Sequence, residues 1–424
     1  MILNTRKSLL TSIPKKKNMR CLVCKIPTDN ISKYCNKHNS VEALFRPANL
    51  ISSNDFEGTS PSVFVGRFGY PNISVGILSP PERREDAWLY DSPSFWAENS
   101  FEVKRIVGLR SSLLNSKFQS TVKQKNNKLL DMAKEISMSN KPVDVDISLD
   151  KLPKASNQSL NDITMPFGTS ALLRKFTLES NPKIPIKVEK AVSDTDLKAT
   201  EAMFNLYESG INEHSITGLL SVGNLGIKNS RKLVPTRWAI TATQDSLGKQ
   251  LIKQVKDFQT GNYEIYFGNY LGNYFLILSF PSSWSYELFE AYIPANYNGA
   301  ELSFTTDHEF YEGRKSYAEN CAGGYYAARL SVLEHLQTIK RQNSVLCLRF
   351  ITEEYTMPLG VWVMQNACRN SLRNKQAEFS SKEEVVDFAF RFALKQLKIN
   401  IYQFLRKSQI LASNNSQKRL SSYF

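Results

Sequence analysis

Four metal-binding side chains lie close together near the start of the chain. Cys21 and Cys24 are separated by two residues, and Cys35 and His38 repeat that spacing after a short loop. A two-residue separation lets a tight turn direct both ligands at one ion, so the set predicts a tetrahedral Zn²⁺ site of the knuckle type. Four protein ligands fill the coordination sphere, which makes the predicted zinc structural. Reduced structural cysteines beside a surface histidine are the alternative.

A second group of residues has the chemistry to bind nucleic acid. Three cations and a tryptophan occur within eight residues, which combines partners for phosphates with a ring for an unpaired base. A further arginine lies in a glycine-rich turn, where the backbone can approach a ligand closely. A solvated loop with a buried tryptophan anchor would have the same composition, so this interpretation stays open. The nucleic-acid-binding candidates are Arg67, Arg231, Lys232, Arg237 and Trp238.

Two acidic residues are the candidates for catalysis. Asp307 and Glu309 alternate along an expected strand and would share one face, as the ligands of a nuclease metal often do. A solvated loop between a strand and a helix is the alternative. His214, His308 and His335 are isolated in the sequence and predict no histidine network to support catalysis.

The last eight residues form a pattern typical of a short binding motif. The polar run 413–416 predicts a flexible linker. The motif that follows it consists of Gln417, Leu420, Tyr423 and Phe424. In a tight turn of three residues, Leu420 and Tyr423 share one side and Phe424 completes an apolar plug, while the glutamine amide donates and accepts hydrogen bonds. The pattern resembles the peptide with which many replication and repair proteins bind the sliding clamp (PCNA).

Composition limits the function classes. A net charge of +14 favours a polyanionic partner, most simply DNA or RNA, and 42% hydrophobic residues provide for a substantial core. The apolar runs are far shorter than a bilayer span, so no membrane partner is predicted. Of the six cysteines, three are scattered singly, which is not a disulfide framework and predicts a reducing, cytoplasmic compartment.

These residues need a scaffold, for which the sequence predicts an α+β class. We expect a disordered basic arm at 1–18, a zinc finger at 19–44, a large mixed body at 45–410 and a flexible tail at 411–424. A linker rich in polar residues and proline is expected at 150–161.

Within the body, the pattern of apolar residues predicts particular elements. Aromatic-rich runs between 261 and 310 are separated by Gly and Asn turns and predict an antiparallel sheet. Ser381 and Glu384 form a capping box that predicts the start of the final long helix. That helix is expected to anchor the tail.

Most of the chain resembles the archaeal Nre family of DNA repair proteins. Similar blocks occur in the family's order at Phe64 to Pro71, Lys232 to Thr241 and Asn320 to Leu330, between a cysteine-rich finger and a C-terminal clamp-binding motif. The resemblance implies repair of damaged DNA in association with the replication clamp. Family fingers are often all-cysteine, whereas this chain offers His38 as the fourth ligand.

Three hypotheses follow from the sequence. The first is a repair factor that is recruited by the sliding clamp and grips DNA through basic and aromatic surface. The second is a repair enzyme, either a nuclease that uses Asp307 and Glu309 or a base-excising enzyme with a pocket around Arg67 and Arg237. The third is an RNA-binding zinc protein, in which the terminal motif would have no role.

Overall fold

The computed structural model describes residues 51–124, 126–153 and 162–416, in which two six-stranded sheets organise the chain. The strands of the first sheet end at Leu178, and those of the second begin at Tyr263. The mixed α+β class predicted from the sequence is confirmed for these residues. None of their helices is both long enough and apolar enough to cross a membrane.

The first sheet contains β1 (Asp55–Ser60), β2 (Ser62–Val65), β3 (Asn72–Ser79), β4 (Leu114–Thr121), β5 (Val143–Leu149) and β6 (Ser170–Leu178). Their spatial order is β1-β5-β6-β4-β3-β2, with β4 and β6 parallel and the other neighbours antiparallel. Ile73, Val75 and Ile77 alternate along β3, are fully buried and belong to the core on one face of this sheet. The short β2 is an edge strand, and its far end leads into a loop that carries candidate site residues.

The second sheet contains β7 (Tyr263–Tyr270), β8 (Asn273–Phe280), β9 (Ser285–Tyr292), β10 (Phe304–Glu309), β11 (Ser344–Ile351) and β12 (Lys375–Phe379). Their order is β10-β9-β11-β8-β7-β12. The expectation of an antiparallel sheet is wrong at one position, because β11 lies between β8 and β9 and runs parallel to β9. An 18-residue helix separates β10 from β11 and provides the crossover that parallel pairing requires.

The described helices are α1 (Pro93–Glu98), α2 (Val103–Ser111), α3 (Lys128–Met138), α4 (Ile186–Ser193), α5 (Ala199–Glu208), α6 (Glu213–Ser221), α7 (Thr236–Val255), α8 (Ala322–Ile339), α9 (Trp362–Leu372), α10 (Lys382–Gln396), α11 (Tyr402–Lys407) and α12 (Gln409–Ser416). The predicted cap of α10 is present, since the Glu384 amide donates to the Ser381 hydroxyl at 3.2 Å.

Helices cover both faces of the second sheet. Helix α8 packs between α7 and α9 on one face, and α10 and α12 pack on the other. Along β11, Val345 and Cys347 enter the first of these cores, and Leu346 and Leu348 enter the second. A strand buried on both faces needs apolar residues at successive positions, which explains the continuous run in β11.

The predicted start of the flexible tail at residue 411 does not match the structure. Helix α12 runs from Gln409 through Ser416, and Ile410 and Leu411 are buried in the core behind the second sheet. The buried Glu287 carboxylate fixes the start of this helix by accepting hydrogen bonds from the Gln409 and Ile410 amides at 3.0 and 3.2 Å. Packing of Ile410 and Leu411 therefore keeps the start of the predicted tail in a helix.

Candidate nucleic-acid interface

The loop between β2 and β3 presents Arg67 to solvent. The Gly66 amide donates to the Ser74 carbonyl at 2.8 Å, and the Asn72 amide donates to the Gly69 carbonyl at the same distance. Gly69 has a φ of +83°, and a Cβ there would lie 2.6 Å from the Asn72 carbonyl oxygen. Only glycine fits this turn without strain, so the sequence fixes the loop in the shape that exposes its other side chains.

A second segment meets this loop at the start of α7. The Val65 amide donates to the Thr236 hydroxyl at 2.9 Å, across 171 residues of sequence. The same hydroxyl lies 3.1 Å from that of Ser221, whose hydroxyl also donates to the Val234 carbonyl at 2.9 Å. These contacts hold the first turn of α7 against the end of β2, and they place Trp238 beside the loop.

Together the two segments form a surface that we call the cation–aromatic patch: Arg67, Phe68, Tyr70, Arg237 and Trp238. The three rings are 76%, 46% and 45% exposed in that order. The rings of Tyr70 and Trp238 lie 5.2 Å apart between centroids, and the Arg67 guanidinium lies over Phe68 at 4.8 Å. Exposed rings that occur singly are ordinary, but neighbouring exposed rings that form one contiguous patch are typical of an interaction site.

The charges of the patch favour an anion. Burial lowers the pKa of Arg237 below its usual value, and the nearby charge of Arg67 lowers it further, although Tyr317 and Asp162 act in the opposite sense. Two arginine side chains of like charge are therefore close enough to repel each other. A phosphate bound between them would relieve this repulsion, and the adjacent rings offer flat surfaces for unpaired bases.

The structure divides the nucleic-acid-binding candidates into two groups. It brings Arg67, Arg237 and Trp238 together, whereas Arg231 lies apart and donates to the carbonyls of Gly226, Val192 and Asp194 at 2.6 to 2.8 Å. With three of its N–H donors bound to backbone carbonyls, Arg231 stabilises the loop before α7 and is not part of the surface that Arg67, Arg237 and Trp238 form. Lys232 is exposed on the same loop.

The catalytic candidates on β10 are buried and already paired. Asp307 accepts from the amides of Asn320 and Cys321 at 3.0 and 2.8 Å and pairs with Arg314 at 3.1 Å. It therefore fixes the start of α8. Glu309 accepts from Trp284 Nε1 at 3.2 Å and pairs with Arg329 at 2.9 Å.

The two carboxylates share one face of β10, as their alternation predicts, but this face is occupied by structural partners. Among the residues that the structure describes, no three His, Cys, Asp or Glu side chains are grouped so that they could hold a metal ion. The zinc candidates Cys21, Cys24, Cys35 and His38 lie outside the described residues, as do Gln417, Leu420, Tyr423 and Phe424 of the terminal motif.

Sequence reasoning missed two aromatic members of the patch and one ionic cluster. Phe68 and Tyr70 flank Gly69 in the turn, and their position beside the turn glycine could have indicated that both rings are exposed. The cluster joins Asp91 to Arg110 at 2.8 Å and to His214 at 3.2 Å. His214 is therefore not isolated, but its partner is 123 positions away in sequence, and no local pattern could reveal it.

The charges in this cluster support one another. Burial alone would raise the pKa of Asp91, but Arg110 and His214 outweigh it and hold that pKa below its usual value. Burial likewise would lower the pKa of His214, but the charge and hydrogen bond of Asp91 raise it above its usual value, with Arg110 and Glu213 also nearby. The imidazolium form of His214 is thereby stabilised.

Comparisons with known proteins agree along nearly the whole chain. The family model described as "Archaeal Nre, N-terminal" matches residues 31–298, and "Archaeal Nre, C-terminal" matches 309–423. A protein of Archaeoglobus fulgidus named "DNA repair protein NreB" is 36% identical over 369 residues, which cover 86% of this chain and 91% of that protein.

A second relative comes from another organism. A protein of Haloferax volcanii named "DNA repair protein NreA" is 36% identical over 366 residues, which cover 84% of this chain and 86% of that protein. No solved structure is significantly similar to the chain.

Proposed function

The chain belongs to the archaeal Nre family, and we propose that it is a DNA repair factor that holds DNA on the cation–aromatic patch. In this proposal the sliding clamp (PCNA) recruits it through Gln417, Leu420, Tyr423 and Phe424. Two relatives that are 36% identical to it over 369 and 366 residues are named as DNA repair proteins, which supports the repair role. The net charge of +14 supports a polyanionic partner.

One observation carries the DNA-binding part of the proposal. Arg67, Tyr70 and Trp238 come from segments far apart in sequence, yet the fold places them side by side and leaves them exposed. Exposed aromatic rings beside arginines suit single-stranded or unpaired DNA, because each ring can stack on a base and each cation can contact a phosphate. A nuclease that uses Asp307 and Glu309 is disfavoured, since both carboxylates are buried in ion pairs.

Replacing Tyr70 and Trp238 by alanine should weaken binding of single-stranded DNA. Loss of a stacked ring costs about 1–3 kcal/mol, which corresponds to roughly 5- to 150-fold in affinity for each ring. Fluorescence anisotropy with a labelled single strand, at several salt concentrations, measures this. In the same assay, Arg67→Ala should reduce the slope of log affinity against log salt by about 0.7 for the lost phosphate contact.

Matched controls lie elsewhere on the surface. Tyr402 is 60% exposed on α11, and Arg391 is an exposed arginine on α10. Tyr402→Ala and Arg391→Ala should bind DNA like the wild type. If the Tyr70→Ala and Trp238→Ala double variant also retains wild-type affinity, the patch is not the DNA-binding surface.

We also propose that Cys21, Cys24, Cys35 and His38 hold one structural Zn²⁺. Their ligand types and spacing support this, because both pairs have the separation that a tight turn needs. Metal analysis of the purified chain should give about one zinc per molecule, and the Cys21→Ser and Cys24→Ser double variant should lose it. Cys347→Ser is the control, since Cys347 is buried in the second sheet. A zinc content that is unchanged in the double variant would refute this ligand set.

A further inference from the structure

A cavity lies directly beneath the cation–aromatic patch. Thr236 and Ile240, on the inner side of the first turns of α7, line this cavity, and Phe64 of β2 forms another part of its wall. Helix α7 therefore contributes residues to both the patch and the cavity, and β2 lines the cavity just before the loop that carries the rest of the patch. Its volume is about 140 Å³, which leaves room for on the order of ten water molecules.

Two carboxamides in the inner part of the cavity have unmet hydrogen-bonding groups. Gln244 Nε2 donates to Gln365 Oε1 at 3.2 Å, but Gln244 Oε1 and Gln365 Nε2 have no partner among the described residues. The two side chains are only 4% and 2% exposed. If the oxygen and nitrogen of both amides are exchanged, one donor and one acceptor still remain. Buried polar groups without partners are unfavourable, so a ligand with a complementary edge would stabilise them.

The wall beside these amides includes apolar side chains. Trp362 is buried there, and its ring nitrogen is already satisfied by the Leu359 carbonyl at 2.7 Å. Met165 and Ile240 complete the apolar surroundings. This end of the cavity suits a planar group that offers one donor and one acceptor on its edge.

The cavity adjoins a wider space of about 540 Å³, and Asp91 and His214 line both. Arg110 and His214 occupy the two carboxylate oxygens of Asp91, so this group is fixed. The His214 side chain is 39% exposed, and only its Nε2 is engaged with Asp91. Its Nδ1 has no partner among the described residues, so it can donate to a ligand at the junction of the two spaces as imidazolium or accept from one as neutral imidazole.

The outer space is polar and has a cation at its edge. Lys141, Asn140 and Asn212 line only this part, and several serine hydroxyls line the junction. Glu98 also contributes to the outer wall. Glu213, which lines the inner cavity, is paired with Arg369 at 2.9 Å. Polarity thus increases from Trp362 outward to Lys141.

From this arrangement we propose that the cavity binds a nucleotide unit, with the base between the carboxamides and Trp362. The sugar would lie at His214, and the phosphate would extend toward Lys141. The donor and acceptor edge of a base matches the unmet amide groups, and the polar end of a nucleotide matches the outer space. Such a unit comes either from a free nucleotide or from a nucleotide turned out of DNA on the patch. Binding of a free nucleotide does not depend on the proposed function, whereas a nucleotide turned out of DNA rests on it.

Calorimetry with the full chain tests the site. The probes are the deoxynucleoside 5′-monophosphates and ribose 5-phosphate, which has no base. At least one nucleotide should bind with a stoichiometry of one, and ribose 5-phosphate should bind at least about tenfold more weakly. Gln365→Leu should weaken the nucleotide at least about tenfold, whereas Gln376→Leu, which changes an amide on the edge strand β12, should not.

A second experiment distinguishes a free nucleotide from a nucleotide turned out of DNA. A DNA strand that carries 2-aminopurine becomes brighter when this base leaves the stack, and a free nucleotide should then compete for the site. Binding of a free nucleotide without brightening identifies the free form as the ligand. Tyr70→Ala with Trp238→Ala should leave binding of the free nucleotide unchanged, so failure of the patch is distinguishable from failure of the cavity. If the wild type neither binds a nucleotide nor brightens the DNA, the proposal is overturned.

Discussion

Replacing Arg329 by alanine should lower the free energy of unfolding by about 3–5 kcal/mol. The side chain is 1% exposed and connects Glu309, at 2.9 Å, to Asp245, at 2.7 Å. Burial alone would lower its pKa, but Glu309, Tyr325 and Asp245 outweigh it and raise that pKa above the usual value. Without Arg329, the fully buried Glu309 carboxylate would have no counter-charge. Chemical denaturation monitored by tryptophan fluorescence measures the loss.

Two further variants show where this effect originates. In a Glu309→Gln and Arg329→Met double variant, part of the lost stability should return, because no buried charge is left unpaired and the introduced amide can still accept from Trp284. Asp245 would keep its pairing with Lys249 at 2.7 Å. Arg391→Ala removes an exposed ion pair with Asp387 and should change stability by no more than about 0.5 kcal/mol.

Substitution of Glu309 also bears on whether β10 is catalytic. If Glu309 is structural, Glu309→Gln should reduce stability without removing an activity that the wild type has. If the Glu309→Gln protein had wild-type stability but had lost a metal-dependent DNA cleavage activity, Glu309 would be a catalytic residue. The contacts with Trp284 and Arg329 predict the first result.

Replacement of Leu420, Tyr423 and Phe424 by alanine should abolish binding to the sliding clamp of the same cells. These three apolar side chains are the expected anchors, and loss of a single anchor costs about 2 kcal/mol or more. Together they should lower affinity by at least about a hundredfold. Surface plasmon resonance with the immobilised clamp measures this, and an unchanged thermal unfolding temperature is the control for correct folding of the variant.

A matched control exists within the same motif. Lys418 and Arg419 lie between the anchors in sequence and are not part of the pattern. Their replacement by alanine should keep most of the affinity and reduce its dependence on salt. Clamp binding that depends on these two cations and not on the anchors would mean that the contact is electrostatic and that the motif is misassigned.

Local patterns predicted much of the secondary structure. The capping box at Ser381 marks the start of α10, and alternation places Asp307 and Glu309 on one face of β10, as the structure shows. These features depend on residues within a few positions of each other, so a local stretch of sequence is enough to predict them. The position of β11 between β8 and β9 depends on a pairing between distant segments, which no local pattern specifies.

The sequence by itself determined which residues are candidates for chemistry. They are the proposed zinc ligands near the start, the proposed clamp motif at the end, and the arginines and tryptophan between them. Side-chain type sets these properties wherever the residue lies. Only the tertiary structure decided which of them act together. It joined Arg67 to Trp238 through the Val65–Thr236 contact and assigned Arg231 to backbone carbonyls.

The cavity beneath the patch could not be predicted from the sequence, because folding alone brings its residues together. Asp91, His214, Gln244 and Gln365 carry no motif, because each becomes informative only when folding brings it to its partner. Burial then decides their chemistry, since it removes water as an alternative hydrogen-bonding partner and strengthens the remaining electrostatic contacts. Sequence patterns report on neighbours along the chain, whereas this site is made of neighbours in space.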